Sequence, residues 1–207
     1  GLSESADAFG AAFRIPNFLQ NLLGEGVLSA SFIPVYARLR ADGKTEEADR
    51  LASAVFGLLA LITSLIVLGG ILLAGPLTDL IAGGFDGAKR DLTVRLVRIL
   101  FPGAGLLVLS AWCLGVLNSH RRFLLSYSAP VIWNLAIILA VILSPARENE
   151  TGAAVAAAGG SVIGSALQFL VQLPTVLTLL RSFRPSVDTD PAPVRQVLQN
   201  FGPVFMS

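Results

Sequence analysis

The chain has 207 residues, of which 54% are hydrophobic and only 14% charged, and its mean hydropathy is +0.71. Soluble domains carry about 25% charged residues, so this composition excludes an ordinary soluble domain and reads as an all-α integral membrane protein, a polytopic transmembrane helix bundle. A net charge of +1, with no basic patch interleaved with aromatics, speaks against nucleic acid as a partner.

The first span is read over 5–39. At about 1.5 Å per residue it would be about 50 Å long, against a hydrocarbon core of about 30 Å, so it must tilt, project or break. Pro16, the pair Gly24 and Gly26, and Pro34 are the places where a kink or an unwound turn is expected. This apolar stretch also carries Asp7, Arg14, Asn17, Gln20, Asn21 and Glu25. On a helix at about 100° per residue, Asp7 and Asn21 fall about 20° to one side of Arg14, Glu25 about 20° to the other, and Asn17 about 60° away. These five share one stripe and Gln20 points off it. Charge inside a bilayer normally faces a bundle interior or a water-filled cavity and marks a pathway or a partner. A second reading stays open: Asp7 and Glu25 sit at the two interfaces, and Arg14 alone lies deep, paired with a neighbouring helix.

Residues 37–51 form a polar loop, with Thr45-Glu46-Glu47 opening a short amphipathic helix. Span two is expected at 52–74, ending at Gly75-Pro76. Residues 75–92 make a longer connection with an interfacial half-helix from Leu77 to Ala82 and turn signals at Gly83-Gly84 and Asp86-Gly87. Span three covers 93–117; Arg95 and Arg98 share a face near its start and either snorkel to headgroups or line an outward vestibule. Span four covers 125–144 and span five 153–181, where the small residues from Ala153 to Gly164 suit close helix packing. A linker over 182–193 precedes a sixth span. The chain starts at Gly1 and stops at Phe205-Met206-Ser207 inside that span, so a fragment is expected at both ends.

Basic loop residues set orientation. The first, third and fifth connections hold Arg38, Arg40, Lys44 and Arg50, then Arg121 and Arg122, then Arg181, Arg184 and Arg195. The other side holds Lys89, Arg90 and Arg147, with Arg95 and Arg98 if they lie outside the core. The first set is read as cytoplasmic.

Covalent catalysis is not expected. No glycine-rich phosphate loop of the Walker type is present. Cys113 stands alone in an apolar run, which gives neither a disulfide framework nor a metal site, and the single His120 reads as an interfacial loop residue. The paired carboxylates Glu46-Glu47 and Glu148/Glu150 lie in loops. No enzyme activity and no cofactor is implied; transport, scaffolding or lipid handling remain.

The string Ala6-Asp7-Ala8-Phe9, then Ala12-Phe13-Arg14-Ile15-Pro16-Asn17, Glu25-Gly26, Ser29 and Phe32-Ile33-Pro34-Val35 resembles the second helix of the MurJ/MviN family. These are lipid II flippases of the multidrug/oligosaccharidyl-lipid/polysaccharide exporter superfamily. Phe101-Pro102, Leu117-Asn118-Ser119 with Arg122-Phe123, Ala129-Pro130 with Asn134, and Gln168 with Gln172-Leu173-Pro174 are similar to the family in the same order. The resemblance implies a protein of about fourteen helices in a two-lobed exporter fold, with residues 1–181 as N-terminal-lobe helices, 182–193 as a cytoplasmic linker and 194–207 as the start of a further helix.

It also implies flipping of lipid II, the undecaprenyl-pyrophosphate-linked glycopeptide, across the bacterial inner membrane by alternating access, with membrane lipid and cell-wall synthesis proteins as further partners. Arg14 and Asn17 match cavity-facing positions of the family, and Asp7 and Glu25 its acidic positions. Asn21 joins them through the stripe, and Pro16, Gly24 and Gly26 are the expected hinge. The family often has two basic residues where this chain has Gln20-Asn21, so headgroup binding here would lean on Arg14. The competing readings are an exporter of another polyprenyl-linked glycan or of drugs, and a non-transporting membrane scaffold for cell-wall synthesis.

Overall fold

A computed structural model describes residues 4–146, 148–187, 189 and 192–204, apart from the side chains of 25–27, 198 and 200–204. Gly1, Arg147, Phe205 to Ser207 and the side chain of Glu25 therefore lie outside the described residues. All the regular structure described is helical.

The first span is a helical rod from residue 4 to 41. Helix α1, Glu4–Gln20, has Glu4 and Asp7 in its first turn, where carboxylates complement the positive end of a helix. Pro16 lies inside it without ending it. From Asn21 to Phe32 the winding loosens into a π-helix, and the Ile33 N–H donates to the Leu28 carbonyl five residues back. Such runs are rare and usually a single turn. The expected break thus takes the form of a change of winding around Gly24 and Gly26. Gly24 packs where an added Cβ would stand 3.1 Å from the Ala111 Cβ, a tight contact for which the neighbour would have to give by a few tenths of an ångström. Helix α2, Ile33–Ala41, continues the rod with Pro34 in its first turn, where the missing N–H leaves a carbonyl of the preceding π turn without its ladder donor.

Helix α3, Thr45–Leu72, takes in the stretch that the sequence divides into a polar loop and a span. Neither Pro nor Gly interrupts 45–56, and Ala48, Asp49, Leu51 and Ala52 are buried, so tertiary packing joins the two pieces. After Leu73 the chain turns into the short α4, Ala74–Ile81, with Pro76 in its first turn. Helix α5, Gly87–Ser119, extends beyond span three at its start. Helices α6, Phe123–Leu143, and α7, Glu150–Leu179, follow; Asn149 caps α7 by accepting from the Thr151 N–H at 3.0 Å. Helix α8 is Ala192–Val204. Four of these helices, α3, α5, α6 and α7, are long and apolar enough to cross a membrane.

Helix α5 is the centre of the bundle. Helices α1, α3 and α7 all pack on it, and Leu96, Phe101, Val108, Trp112 and Leu117 are buried along its length. Helix α6 packs on α7 at the edge. Its contact is made by Gly160 and Gly164, whose Cα positions face the backbones of Ile137 and Trp133: an added Cβ would stand 2.9 Å from Ile137 Cα and 2.8 Å from the Trp133 carbonyl oxygen. Small residues four apart bring two membrane helices into backbone contact. The outer faces of α6 and α3 expose Leu135, Ile138 and Ile142, and Leu61, Leu65 and Leu68. In lipid such faces are at home.

Hydrogen bonds assign the ends of the bundle. Tyr36 meets His120, and Asp49 meets the backbone of 181–182, so Arg38, Arg40, Arg121, Arg122 and Arg181 cluster at one end. Asp7 meets Lys89 and Ser5 meets Thr151 at the other. The basic excess at the first end is the arrangement of a cytoplasmic face.

Candidate functional site

The rod at 4–41 does not bury its whole circumference. Ala6, Gly10, Arg14, Phe18 and Asn21, spaced three or four apart, are exposed along one side, and Ser29 and Ala30 follow. This open face is small and polar apart from Phe18, unlike the Leu- and Ile-covered faces of α3 and α6. Arg14 has no hydrogen-bond or ion-pair partner among the described residues. It lies seven residues, about 10 Å, along the axis from Asp7, whose bond to Lys89 sets Arg14 level with the 95–98 turn of α5.

Asp7 and Arg14 line one pocket of about 370 Å³, with Gly10 and Ala11 on the same helix and Ile81, Ala82 and Phe85 opposite. Two helical turns separate the carboxylate from the guanidinium. Asp7 is engaged: Lys89 Nζ donates to its Oδ2 at 2.9 Å, and the same ammonium lies 4.0 Å from the Phe85 ring centroid. The ammonium therefore sits between a carboxylate and an aromatic face, both of which stabilise it. Lys89 is a site residue that residue-by-residue reading misses, because 82 positions separate it from Asp7. Its only sequence signal is its place in the connection on Asp7's side of the membrane.

Part of the predicted stripe is kept together, with Asp7, Arg14 and Asn21 along one side of the rod. Asn17 turns instead toward a small void with Gln20, the residue read as pointing away, closed by Pro16, Leu100, Ala104 and Ser161. Asn21 is exposed, on the side of Arg14. Beyond Gln20 the π winding replaces the assumed 100° step, so the angle assigned to Glu25 no longer applies, and its side chain lies outside the described residues.

Two further polar clusters are built by distant parts of the chain. At the basic end, the Tyr36 hydroxyl and His120 Nε2 share a hydrogen bond of 2.9 Å, its direction set by the imidazole tautomer. Burial, and next the positive charges of Arg40 and Arg122, hold the His120 pKa below its ordinary value of 6.5, with Asp49 opposing them. His120 is thus a bonded helix cap rather than a free loop residue. Inside the bundle, Gln168 Nε2 donates to Ser110 Oγ at 2.9 Å and Ser110 Oγ donates to Gln172 Oε1 at 3.0 Å, which ties α5 to α7. The buried Gln172 Nε2 and Trp112 Nε1 have no partner among the described residues.

Among the described residues no group of His, Cys, Asp and Glu is placed to hold a metal ion. What the arrangement offers is a cation and an ion pair on the open side of a membrane bundle. The fold is a polytopic bundle of membrane-length helices with one charged, small-residue face. Comparison with known proteins gives the family: residues 1–207 match the family model for lipid II flippase MurJ, and the chain belongs to that family. It is 36% identical over 177 residues to the lipid II flippase MurJ of Burkholderia cenocepacia, covering 84% of this chain and 34% of that protein. With a probable lipid II flippase MurJ of Vibrio cholerae it shares 34% over 188 residues, covering 86% and 35%.

Among solved structures, lipid II flippase MurJ in an inward closed conformation matches with TM-score 0.77 and 25% identity, over 100% of this chain and 41% of that one. A multidrug resistance transporter of the MATE family, in the MOP superfamily and inward-facing, matches with TM-score 0.75 and 19% identity, over 100% and 46%, and shares the fold. The chain spans about a third of the length of the curated relatives it matches.

Proposed function

We propose that this chain supplies the N-terminal lobe of a protein that flips lipid II across the bacterial inner membrane, with the open face of the 4–41 rod as one wall of its cavity. The observation that carries the reading is Arg14: an exposed guanidinium lining one pocket with Asp7, itself paired with Lys89, on a face that lacks the Leu and Ile of a lipid-facing surface. A pyrophosphate taken out of water needs charge-assisted donors, and a guanidinium supplies them in a fixed fork. The polyprenyl tail stays in lipid while the headgroup crosses along the polar face. Asp7, by holding Lys89, keeps a second cation near the outer mouth. Asn21 and Glu25 extend the wall, Asn17 faces the small void behind it, and Pro16 with Gly24 and Gly26 lets the rod change its bend as the lobes alternate. Residues 182–193 serve as the cytoplasmic linker to the rest of the protein. Cell-wall synthesis proteins are further partners, and the lobe itself catalyses no covalent step.

The test is complementation of bacteria depleted of their own lipid II flippase by the full-length protein carrying Arg14→Ala or Asp7→Ala. Rescue by wild type and loss of rescue by well-expressed Arg14→Ala is the expected result. Rescue by both variants removes the stripe from the mechanism; no rescue by a well-expressed wild type moves the assignment to another polyprenyl-linked glycan or to a scaffold.

A further inference from the structure

A second cationic surface lies apart from the open face, at the start of α5. Arg90, Arg95 and Arg98 line an open groove of about 700 Å³ with Asp91, Val94, Ile99 and, from the first turn of α4, Gly75. On α5 Arg95 and Arg98 are three apart and share a face, Arg90 precedes Arg95 by five, and the lining together covers about half of the helix circumference. Arg95 and Arg98 are exposed and have no hydrogen bond or ion pair among the described residues. Arg90 is held in place: its Nε donates to Asp79 Oδ1 at 2.6 Å and its Nη2 to Asp79 Oδ2 at 2.8 Å. Its remaining N–H groups are left for another acceptor.

Packing fixes the depth of this groove. Gly70 of α3 seats the Phe101 ring, and Gly105 lies against Val67 and Thr63, so the two helices run antiparallel with 70 level with 101. Four residues further, α3 has ended at Leu72 and α5 has reached Val97. The exposed apolar surface of α3 ends there too, with Leu72 and Leu73 as its last members. Arg95 and Arg98 therefore stand at the level where hydrocarbon gives way to headgroups, and Arg90 stands about 8 Å further out. Guanidinium groups at this depth are within reach of lipid phosphates, and their stems cover apolar surface. Asp79, Asp91 and Asp86 surround Arg90, whereas Arg95 and Arg98 have no acidic partner among the described residues, so the groove is left cationic at these two and complements a phosphodiester anion.

We infer that this groove binds the phosphate of an anionic phospholipid, of the phosphatidylglycerol class, from the leaflet at the Asp7 end of the bundle. Arg95 and Arg98 hold the phosphate oxygens, Arg90 contributes from its fixed position on Asp79, and Val94, Ile99 and the neighbouring leucines take the first part of the acyl chains. A zwitterionic lipid leaves the net charge of the groove uncompensated. The site is separate from the wall assigned to substrate, and lipid retention is measured without reference to flipping, so either reading can fail alone.

The experiment is native mass spectrometry of the full-length protein in detergent, with phosphatidylglycerol or phosphatidylethanolamine of the same acyl chains added. Wild type is expected to retain phosphatidylglycerol preferentially. Arg95→Gln with Arg98→Gln lowers that adduct about tenfold, a loss of two charge-assisted contacts, and leaves the phosphatidylethanolamine adduct unchanged; Arg95→Lys with Arg98→Lys keeps most of the preference. Equal retention of the two lipids by wild type, or an unchanged phosphatidylglycerol adduct in the glutamine variant, overturns the inference. If the double glutamine variant does not fold, the wild-type comparison and Arg98→Gln alone decide the question by the same criteria.

Discussion

Asp49 is the buried acid on which the basic end of the bundle is fastened, and its replacement has a size that the structure sets. It is 1% exposed. Its Oδ2 accepts from the Arg181 N–H at 2.9 Å and the Ser182 N–H at 3.3 Å, where the chain leaves α7. One turn along α3, Ser53 Oγ accepts from the Arg184 N–H at 3.1 Å. A Cβ on Gly57, one turn further, would run into the Ser186 backbone. Segment 181–186 is thus laid along one stripe of α3 and closed by Phe183 against Phe56 and Trp112.

Asp49→Ala leaves two N–H groups without their acceptor, at about 1–3 kcal/mol each if they stay dry. Water reaches the exposed Arg181 and Ser182, and removal of Oδ1, itself buried without a partner, recovers more. The net loss is about 2 kcal/mol, a fall of about 4–8 °C in Tm for a chain of this size. Asp49→Asn keeps one acceptor oxygen and loses about half as much. Thermal unfolding in detergent measures both, and amide exchange at Arg181 and Ser182 should quicken in Asp49→Ala first. An unchanged Tm in Asp49→Ala, or equal losses in the two variants, refutes the fastening role.

Other outcomes follow from the same packing. Gly164→Ala forces a Cβ onto the Trp133 backbone and should cost about 1–3 kcal/mol, whereas Gly159→Ala, with nothing within 4 Å, should be neutral or stabilising by up to about 1 kcal/mol; paired melting curves check the contrast. Ser110→Ala removes both hydrogen bonds joining α5 to Gln168 and Gln172 and should cost about 1–3 kcal/mol by the scale of interhelical bonds in membranes, measured by unfolding in mixed micelles. His120 has a folded pKa below its free value of 6.5. Its share of stability is complete above pH 6.5, falls as pH drops from there toward the lowered folded value, and levels off below it. An NMR titration of the imidazole should show a midpoint below 6.5, and His120→Gln should flatten the stability profile in that window.

Composition and hydrophobic run length determine by themselves that this chain lies in a membrane, because no other solvent accepts so many long apolar helices without charge. The order of motifs along 6–35 and beyond carries the family. Small-residue content from Ala153 to Gly164 announced close packing, and Gly160 and Gly164 supply it, because the absence of a side chain is a local property visible in the sequence. Polar partnerships were not legible in the same way. Asp7 finds Lys89 across 82 residues, and Tyr36 finds His120 across 84, since antiparallel helices bring together positions that no period relates. The stripe of Asp7, Arg14, Asn17, Asn21 and Glu25 rested on a constant 100° step. That step fails after Gln20, where close packing of the glycine-bearing segment against α5 accompanies a looser winding. Helix type and helix neighbours are set by packing of the whole bundle, and only the tertiary structure decides the winding beyond Gln20.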